Sequence, residues 1–167
     1  MRHYIPIGFV QPEVIVSNLV FTIPDATLYH FGVLTSAMHM AWMRSVCGRL
    51  KSDYRYSAGI VYNNFPWPET VTDKQKQTIE EAAQAVLDAR SKFPDSSLAD
   101  LYNPLTMPPE LVKAHHKLDA AVDAAYSKRK FSGDSDRVAF LFERYQQLVD
   151  AMEIKPAKTK PKIPLNV

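Results

Sequence analysis

The stretch that decides the fold is residues 26–46, ATLYHFGVLTSAMHMAWMRSV, which carries apolar side chains around almost the whole circumference of a helix. Asp25 precedes it as a candidate N-cap, and Gly48 follows it as a stop signal. Gly32 and Ser36 are weak helix formers, so we expect a kink or break near Ser36, where a second helix begins. Because such a segment is apolar all round, we expect it to be buried on several sides.

Three short runs have the composition of β-strands. Tyr4–Val10 and Val14–Phe21 are rich in β-branched and aromatic residues and are separated by Gln11-Pro12-Glu13, and Ser57–Tyr62 is a possible third strand. Three strands are barely enough for an independently stable sheet. We therefore expect an incomplete sheet whose other strands lie upstream.

After Pro66-Trp67-Pro68 the sequence changes to long helical patterns. Thr72 and Gln75 fit a capping box at the start of an amphipathic helix, and Pro108-Pro109 opens another after a short helical turn at Leu98–Tyr102. A last helix is expected from about Asp136 to Met152, and these helices close a small bundle. The side chains expected to face inward from the last helix are Val138, Leu141, Phe142, Tyr145, Leu148, Val149 and Met152.

The predicted fold class is α+β and mostly α: a small incomplete β-sheet with a buried helix, then a small helical bundle and a disordered Lys/Pro tail. We divide the chain into residues 1–68, a helical domain at 69–154, and a flexible basic tail at 155–167. Alternating Lys and Pro do not form a core, which is why the tail is set apart.

The charge of the chain is concentrated at its end. Removing the four lysines of the tail, Lys155, Lys158, Lys160 and Lys162, from the net charge of +2 leaves about −2 for residues 1–154. The folded part is therefore not a general binder of nucleic acid. Contact with DNA has to come from a local cluster of basic residues.

Cysteine use and hydropathy indicate a cytoplasmic protein. Cys47 is the single cysteine, so the chain has no internal disulfide, and a reducing compartment is the simplest setting. The longest mostly apolar stretch, Ala37–Val46, is far shorter than the roughly 20 residues that a bilayer span needs. We expect no contact with a membrane.

The string Asn63-Asn64-Phe65-Pro66-Trp67-Pro68 invites comparison with the Asn/Asp-Pro-Pro-aromatic loop of DNA amino-methyltransferases, which binds a flipped base. Phe65 stands where that loop needs its first proline, and the chain has no glycine-rich turn after a strand to hold the methyl donor. We interpret Phe65 and Trp67 as residues that fix the crossover between the two parts of the chain.

The histidines His30, His39, His115 and His116 do not have the spacing of a metal site. The chain contains no His-x-x-x-His or Cys-x-x-Cys pair, and a pair made of His39 and Cys47 would lack further ligands. We expect structural or surface roles for them.

The segment Arg44–Tyr56 is the best candidate for polar binding. It holds four basic residues, Arg44, Arg49, Lys51 and Arg55, against one acid, and lies in a predicted loop between the buried helix and a strand. Lys and Arg neutralise DNA phosphates. The same pattern also fits a solvated turn, and spacing alone does not separate the two readings.

Longer motifs resemble a known family, the MmeI-like restriction-modification proteins and their DNA methylase relatives, in their C-terminal region. The motifs extend over nearly the whole chain except the tail. They are Tyr4–Phe9, Asp25–Ser36, Met38–Arg44, Cys47–Ser57, Tyr62–Pro68, Leu101–Asn103, Pro108–Leu111, Ala114-His115, Leu118-Asp119, Val122-Asp123 and Arg137–Glu143.

This resemblance implies a single long polypeptide that transfers a methyl group from S-adenosylmethionine to the exocyclic amine of adenine, and in many members also cleaves DNA. Residues 1–68 would then close the target recognition domain, and residues 69–154 would be the C-terminal helical domain. The family's methyl-donor motif, catalytic loop and nuclease residues have no counterparts in this sequence. We therefore expect no catalytic residue, metal site or cofactor here, with S-adenosylmethionine bound elsewhere in the parent protein.

The resulting hypothesis is a DNA-recognition and scaffold fragment of an adenine methyltransferase. Its partners are double-stranded DNA and upstream segments of the same polypeptide, and phosphate contacts are assigned to Arg44, Arg49, Lys51 and Arg55. A second hypothesis is a helical interaction module at residues 72–152 that never touches DNA; an exposed apolar face on the early strands and the buried helix would favour it. A free-standing small enzyme is the third.

Overall fold

The chain is described by a computed structural model over residues 3–17, 20–50 and 53–153. In these ranges it is mostly helical, with one two-stranded antiparallel sheet, so the predicted fold class is confirmed. The predicted Lys/Pro tail lies outside them. The elements are α1 (Leu28–Thr35), α2 (Ala37–Val46), β1 (Gly48–Leu50), β2 (Asp53–Arg55), a π-helix (Ala58–Tyr62), α3 (Asp73–Ser91), α4 (Leu98–Leu101), α5 (Pro109–Tyr126) and α6 (Asp134–Glu153).

The predicted break in the central helix is confirmed at Ser36, which separates α1 from α2. Ser36 has extended backbone angles (φ −77°, ψ 163°), and its hydroxyl donates a 2.7 Å hydrogen bond to the carbonyl of Val33. The N-cap is Thr27 rather than Asp25, because Thr27 and His30 form the capping box, whereas Asp25 has a positive φ of 55°. Both helices are buried over most of their length, as expected.

α1 and α2 belong to one hydrophobic core that extends along the chain from Tyr4 to Leu141. α1 packs against α3, α3 packs against α5, and α6 packs mainly against α2. The C-terminal helices therefore close their bundle only together with α1 and α2. Leu141 of α6 faces inward as predicted, but the prediction is wrong for Phe142 and Met152, which are 45% and 73% exposed. A helix with one main neighbour buries a narrower stripe than a helix inside a bundle.

Gly32 allows the close approach of α1 to α3 and α5. A Cβ atom on Gly32 would lie 2.7 Å from Cγ2 of Ile79 and 3.3 Å from both Ala83 Cβ and Leu118 Cδ1. These neighbours are buried, so none of them moves aside without disturbing the core.

The substitution Gly32→Ala is expected to lower the free energy of unfolding by about 1–2 kcal/mol. Overpacking costs about 1–3 kcal/mol, and the better helix propensity of alanine offsets up to about 1 kcal/mol of it. Urea denaturation measures the change. Gly59→Ala is the control, since a Cβ there meets nothing within 4 Å; equal effects of the two substitutions would show that the contact at Gly32 does not matter.

The strands predicted at Tyr4–Val10, in the described part of Val14–Phe21 and at Ser57–Tyr62 are wrong. The first two segments run without regular structure, and residues 58–62 form the π-helix. Pro6, inside the first of these runs, lacks the backbone N–H group that a sheet ladder uses. A β-branched residue forms a strand only where neighbouring strands and packing favour it, so the composition of these segments does not by itself produce a sheet.

The sheet lies inside the segment that was predicted to be a loop. β1 and β2 pair as Gly48↔Arg55, Arg49↔Tyr54 and Leu50↔Asp53. We call the segment Gly48–Arg55 the hairpin. Cross-strand pairs such as Arg49 with Tyr54 stabilise the hairpin, and they leave no period of apolar residues in the sequence. None of the helices in the described ranges is long and apolar enough to cross a bilayer.

Candidate nucleic-acid interface

Arg49 and Tyr54 form a cross-strand pair on one face of the hairpin. The guanidinium carbon of Arg49 lies 4.5 Å from the centre of the Tyr54 ring, and Nη2 donates a 3.3 Å hydrogen bond to the Tyr54 hydroxyl. Arg49 remains exposed. The ring therefore holds the guanidinium at the surface without neutralising its charge.

Arg55 is also exposed, but it lies on the other face of the hairpin. Successive residues of a strand point to opposite sides, and Arg55 follows Tyr54, which shares its face with Arg49. The hairpin thus presents one guanidinium on each face. Lys51, the third basic residue predicted to contact DNA, lies outside the described residues.

Arg44 differs from the other predicted contact residues because it is engaged within the protein. Its Nη1 donates to Oδ2 of Asp134 at 2.6 Å, and its Nη2 donates to the carbonyl of His3 at 3.0 Å. Arg44 is in the last turn of α2, four residues before the hairpin, and Asp134 is the first residue of α6. This ion pair fixes the base of the hairpin to α6. Sequence reasoning found the basic residue but not its partner 90 positions away.

A buried carboxylate joins the N-terminal segment to α2 and α5. Asp119 of α5 accepts a 2.7 Å hydrogen bond from the Tyr4 hydroxyl and another of 2.7 Å from the backbone N–H of Ala37, at the start of α2. Asp119 is 9% exposed, and this burial raises its pKa above the usual range. The carboxylate caps a helix that is 82 residues away in sequence.

His115 continues this buried network towards α3 and α4. Its ring stacks on Tyr4 at 3.9 Å, and Nε2 lies 2.7 Å from the hydroxyl of Tyr102. Arg90 donates to that hydroxyl from Nε at 2.8 Å and also from Nη2, while Nη1 donates to the carbonyl of Ile7 at 2.6 Å. Since Arg90 is only a donor, the hydroxyl proton of Tyr102 is directed to Nε2. Burial lowers the pKa of His115 to about 3.

His39 of α2 is a second buried histidine. Its Nε2 lies 3.0 Å from the hydroxyl of Tyr56, and its ring meets Phe65 edge-on at 4.5 Å. Burial lowers its pKa to about 3 as well. His39 and His115 are therefore neutral core residues. Over residues 3–17, 20–50 and 53–153, no group of three or more His, Cys, Asp or Glu side chains is placed to bind a metal.

The crossover after the π-helix is fixed by aromatic residues, as predicted for Phe65 and Trp67. Phe65 is 4% exposed, and its ring lies 5.6 Å from that of the half-buried Trp67. The hydroxyl of Tyr126, on α5, donates a 3.0 Å hydrogen bond to the carbonyl of Pro66. The Phe-Pro-Trp string therefore serves to attach the crossover to the helices.

An apolar surface is left open along the N-terminal segment. Phe9, Val10, Val14, Ile15, Val20 and Phe21 are each at least half exposed, and Ile15 reaches 98%. All of them except Ile15 border a groove of about 660 Å³, whose other wall includes Phe31 and Leu34 of α1. The central helices themselves are buried. An interaction module was expected to show an exposed apolar face. The N-terminal segment has such a face, whereas most apolar residues of α1 and α2 are buried.

The family of the chain follows from comparison with known proteins. Residues 1–69 match the family model of the MmeI target recognition domain, and residues 71–153 match that of the MmeI C-terminal domain. The chain therefore belongs to the MmeI family.

Two relatives show the same relationship in more detail. DNA methyltransferase A of Bacillus subtilis (strain 168) is 48% identical over 149 residues, which are 89% of this chain and 17% of the relative. The solved structure of the Type IIL restriction-modification enzyme MmeI in complex with DNA matches with a TM-score of 0.85 and 54% sequence identity, over 89% of this chain and 20% of that one. This chain spans about a fifth of the length of these relatives.

Proposed function

We propose that this chain is a DNA-recognition and scaffold region, from the C-terminal part of an S-adenosylmethionine-dependent, adenine-specific DNA methyltransferase of a restriction-modification system. The observation that carries the proposal is the close match, at a TM-score of 0.85, to an enzyme that was solved with DNA bound. S-adenosylmethionine and the reacting adenine would bind to other parts of the polypeptide. A protein that modifies bacterial DNA works in the cytoplasm, in keeping with the lone cysteine.

The hairpin is the part of the chain best suited to contact DNA. A two-stranded ribbon fits the major groove of B-DNA, which is about 12 Å wide. Arg49 and Arg55 are exposed on opposite faces of the hairpin, and guanidinium groups donate charge-assisted hydrogen bonds to phosphate oxygens. We assign phosphate contacts to these two residues and to Lys51. The phosphate contact predicted for Arg44 stays a prediction; its guanidinium is paired with Asp134, and through that pair it would support the hairpin.

Substituting Arg49, Lys51 and Arg55 together by alanine is expected to lower the affinity for duplex DNA. It is also expected to make that affinity less sensitive to salt concentration. Each lost phosphate contact removes about 0.9 from the slope of log K against log salt concentration, so the slope falls by roughly 2–3. Fluorescence anisotropy over a range of salt concentrations measures this for the purified chain. In the full-length polypeptide, the same variant is expected to slow methyl transfer from labelled S-adenosylmethionine to adenine.

The matched control removes three charges from exposed lysines of other elements, in Lys92→Ala/Lys113→Ala/Lys117→Ala. Its salt slope is expected to stay within error of the unsubstituted chain. DNA affinity that does not respond to salt, or that responds equally to both triple variants, would contradict the hairpin contacts. A full-length polypeptide that transfers no methyl group to adenine would contradict the proposed enzyme.

A second candidate function is an interaction module that makes no contact with DNA. The exposed apolar residues between Phe9 and Phe21 favour it, since exposed apolar patches of this kind often mark the contact surface of a partner. The two candidates are separated by the same titration, because a module without DNA contacts shows no binding with a salt slope.

A further inference from the structure

A second basic segment lies in the loop between α5 and α6. Residues 127–133 read SKRKFSG, with Lys128, Arg129 and Lys130 in succession. Lys128 and Lys130 are exposed. The loop belongs to the part of the chain that matches the C-terminal domain, whereas the hairpin belongs to the part that matches the target recognition domain.

The central arginine anchors this loop to α6. Arg129 forms an ion pair of 2.9 Å with Asp136, and its guanidinium carbon lies 5.0 Å from the centre of the Phe131 ring. The hydroxyl of Ser127 accepts from the backbone N–H of Arg129 at 3.1 Å, and Asp136 accepts from the N–H of Ser132 at 3.0 Å. The backbone is thereby fixed around Arg129, and the lysines on either side of it are held at the surface.

The ion pair between Arg44 and Asp134 brings this loop close to the hairpin. The hairpin begins four residues after Arg44, and Lys130 lies four residues before Asp134. Four residues span at most about 14 Å of extended chain, so Gly48 lies within that distance, Cα to Cα, of Arg44, and Lys130 lies within it of Asp134. A duplex carries one negative charge per roughly 1.7 Å of its axis, so a surface of this extent faces many phosphates.

The acidic residues around the loop do not cancel its charge. Asp136 is paired with Arg129, and Asp134 with Arg44. Asp123 accepts two hydrogen bonds from Arg137, at 3.0 and 2.7 Å. Each of these carboxylates is matched by an arginine, which leaves the exposed charges of Lys128 and Lys130 in excess at this end of α6.

We propose that Lys128 and Lys130 form a second phosphate-binding surface for the double-stranded DNA that contacts the hairpin, so that the C-terminal domain takes part in DNA binding directly. The inference rests on the proposed function, because it requires that the chain bind duplex DNA. Arg129 positions the loop through Asp136 and Phe131. The two lysines add affinity without reading sequence, because phosphates are the same at every base pair.

The test compares Lys128→Ala/Lys130→Ala with Lys113→Ala/Lys117→Ala, which removes two exposed lysines from the middle of α5. On a duplex of roughly 20 base pairs, the loop variant is expected to bind at least about tenfold more weakly at roughly 0.1 M salt, with a salt slope smaller by about 2. The α5 variant is expected to match the unsubstituted chain. Lys128→Arg/Lys130→Arg, which keeps both charges, is expected to retain the slope.

The outcomes separate this inference from the function on which it rests. If the unsubstituted chain binds duplex DNA without a salt slope, both fail. If the hairpin variant lowers the slope and the loop variant does not, the inference alone is overturned. Equal losses in the loop and α5 variants would also overturn it, since they would indicate a diffuse field instead of a local surface. Unchanged urea denaturation of the loop variant verifies that the fold is intact.

Discussion

Lowering the pH from about 7 to about 5 is expected to reduce the free energy of unfolding by about 4 kcal/mol through His39 and His115 alone. Burial lowers the pKa of both side chains from 6.5 to about 3. The folded chain therefore keeps them neutral, whereas the unfolded chain protonates them below about pH 6.5. Their contribution to stability is fully present above that pH and is lost as the pH falls towards 3. Each histidine loses about 1.4 kcal/mol per pH unit, or about 2 kcal/mol at pH 5.

Asp119 acts in the opposite direction on the stability of the fold. Burial raises its pKa, so its contribution is present at low pH and is lost as the pH rises through the folded pKa. The pH dependence of the unsubstituted chain therefore combines groups whose effects have opposite signs. For this reason the decisive measurement is the difference in pH dependence between variants, not the total.

Adjacent histidines provide a matched pair for that measurement. His115 is fully buried, and His116, the next residue on α5, is exposed. Urea denaturation at about pH 7 and pH 5 is expected to show that His115→Gln removes about 2 kcal/mol of the pH dependence, whatever its effect on stability at neutral pH. His116→Gln is the control for substitution of an exposed histidine at the neighbouring position of α5. If His115→Gln and the unsubstituted chain lose the same stability in acid, His115 is not kept neutral by the fold.

Local signals explain which parts of the fold were predictable from the sequence. The capping box at Thr72 and Gln75, Pro109 at the first position of α5, and Ser36 between two apolar runs each act within one helical turn. Such signals depend on a few neighbouring residues, so a single sequence contains them. The predicted helices accordingly agree with the structure to within a few residues, and α6 begins at Asp134 instead of Asp136.

The strands and the polar contacts were not predictable in this way. The N-terminal runs have the composition of strands, yet Tyr4 packs against His115 and Asp119, more than a hundred positions away. Arg44 was predicted to contact DNA because it lies in a basic segment. Its partner Asp134 is 90 positions away in the sequence, so no local pattern indicates that the two residues pair. A pairing at such separations leaves no spacing signal in one sequence. The contacts of Arg49 and Arg55 with DNA remain predictions for the same reason. A sequence shows that a residue is charged, but it does not show which group that residue binds.

Asp119→Ala is expected to lower the free energy of unfolding by about 3–4 kcal/mol. It leaves the buried hydroxyl of Tyr4 and the N–H of Ala37 without their acceptor, and each unsatisfied buried group costs about 1–3 kcal/mol. Removal of a buried carboxylate relieves part of its own desolvation, so the effect lies below the upper limit. Asp88→Ala, at an exposed acid of α3, is the control and is expected to change stability by less than about 0.5 kcal/mol.

Two further variants distinguish loss of this particular network from general damage to the core. Asp119→Asn is expected to cost less than half as much as Asp119→Ala, because the amide oxygen still accepts from Ala37 and the amide nitrogen can donate to the Tyr4 hydroxyl. Tyr4→Phe is expected to cost about 1–2 kcal/mol in the unsubstituted chain and to be neutral or stabilising when Asp119 is alanine, because it then removes a hydroxyl that has lost its acceptor. A cost of Tyr4→Phe that is the same in both backgrounds would show that the two side chains do not stabilise the fold together, and that the N-terminal segment is held to the helices by apolar contacts alone.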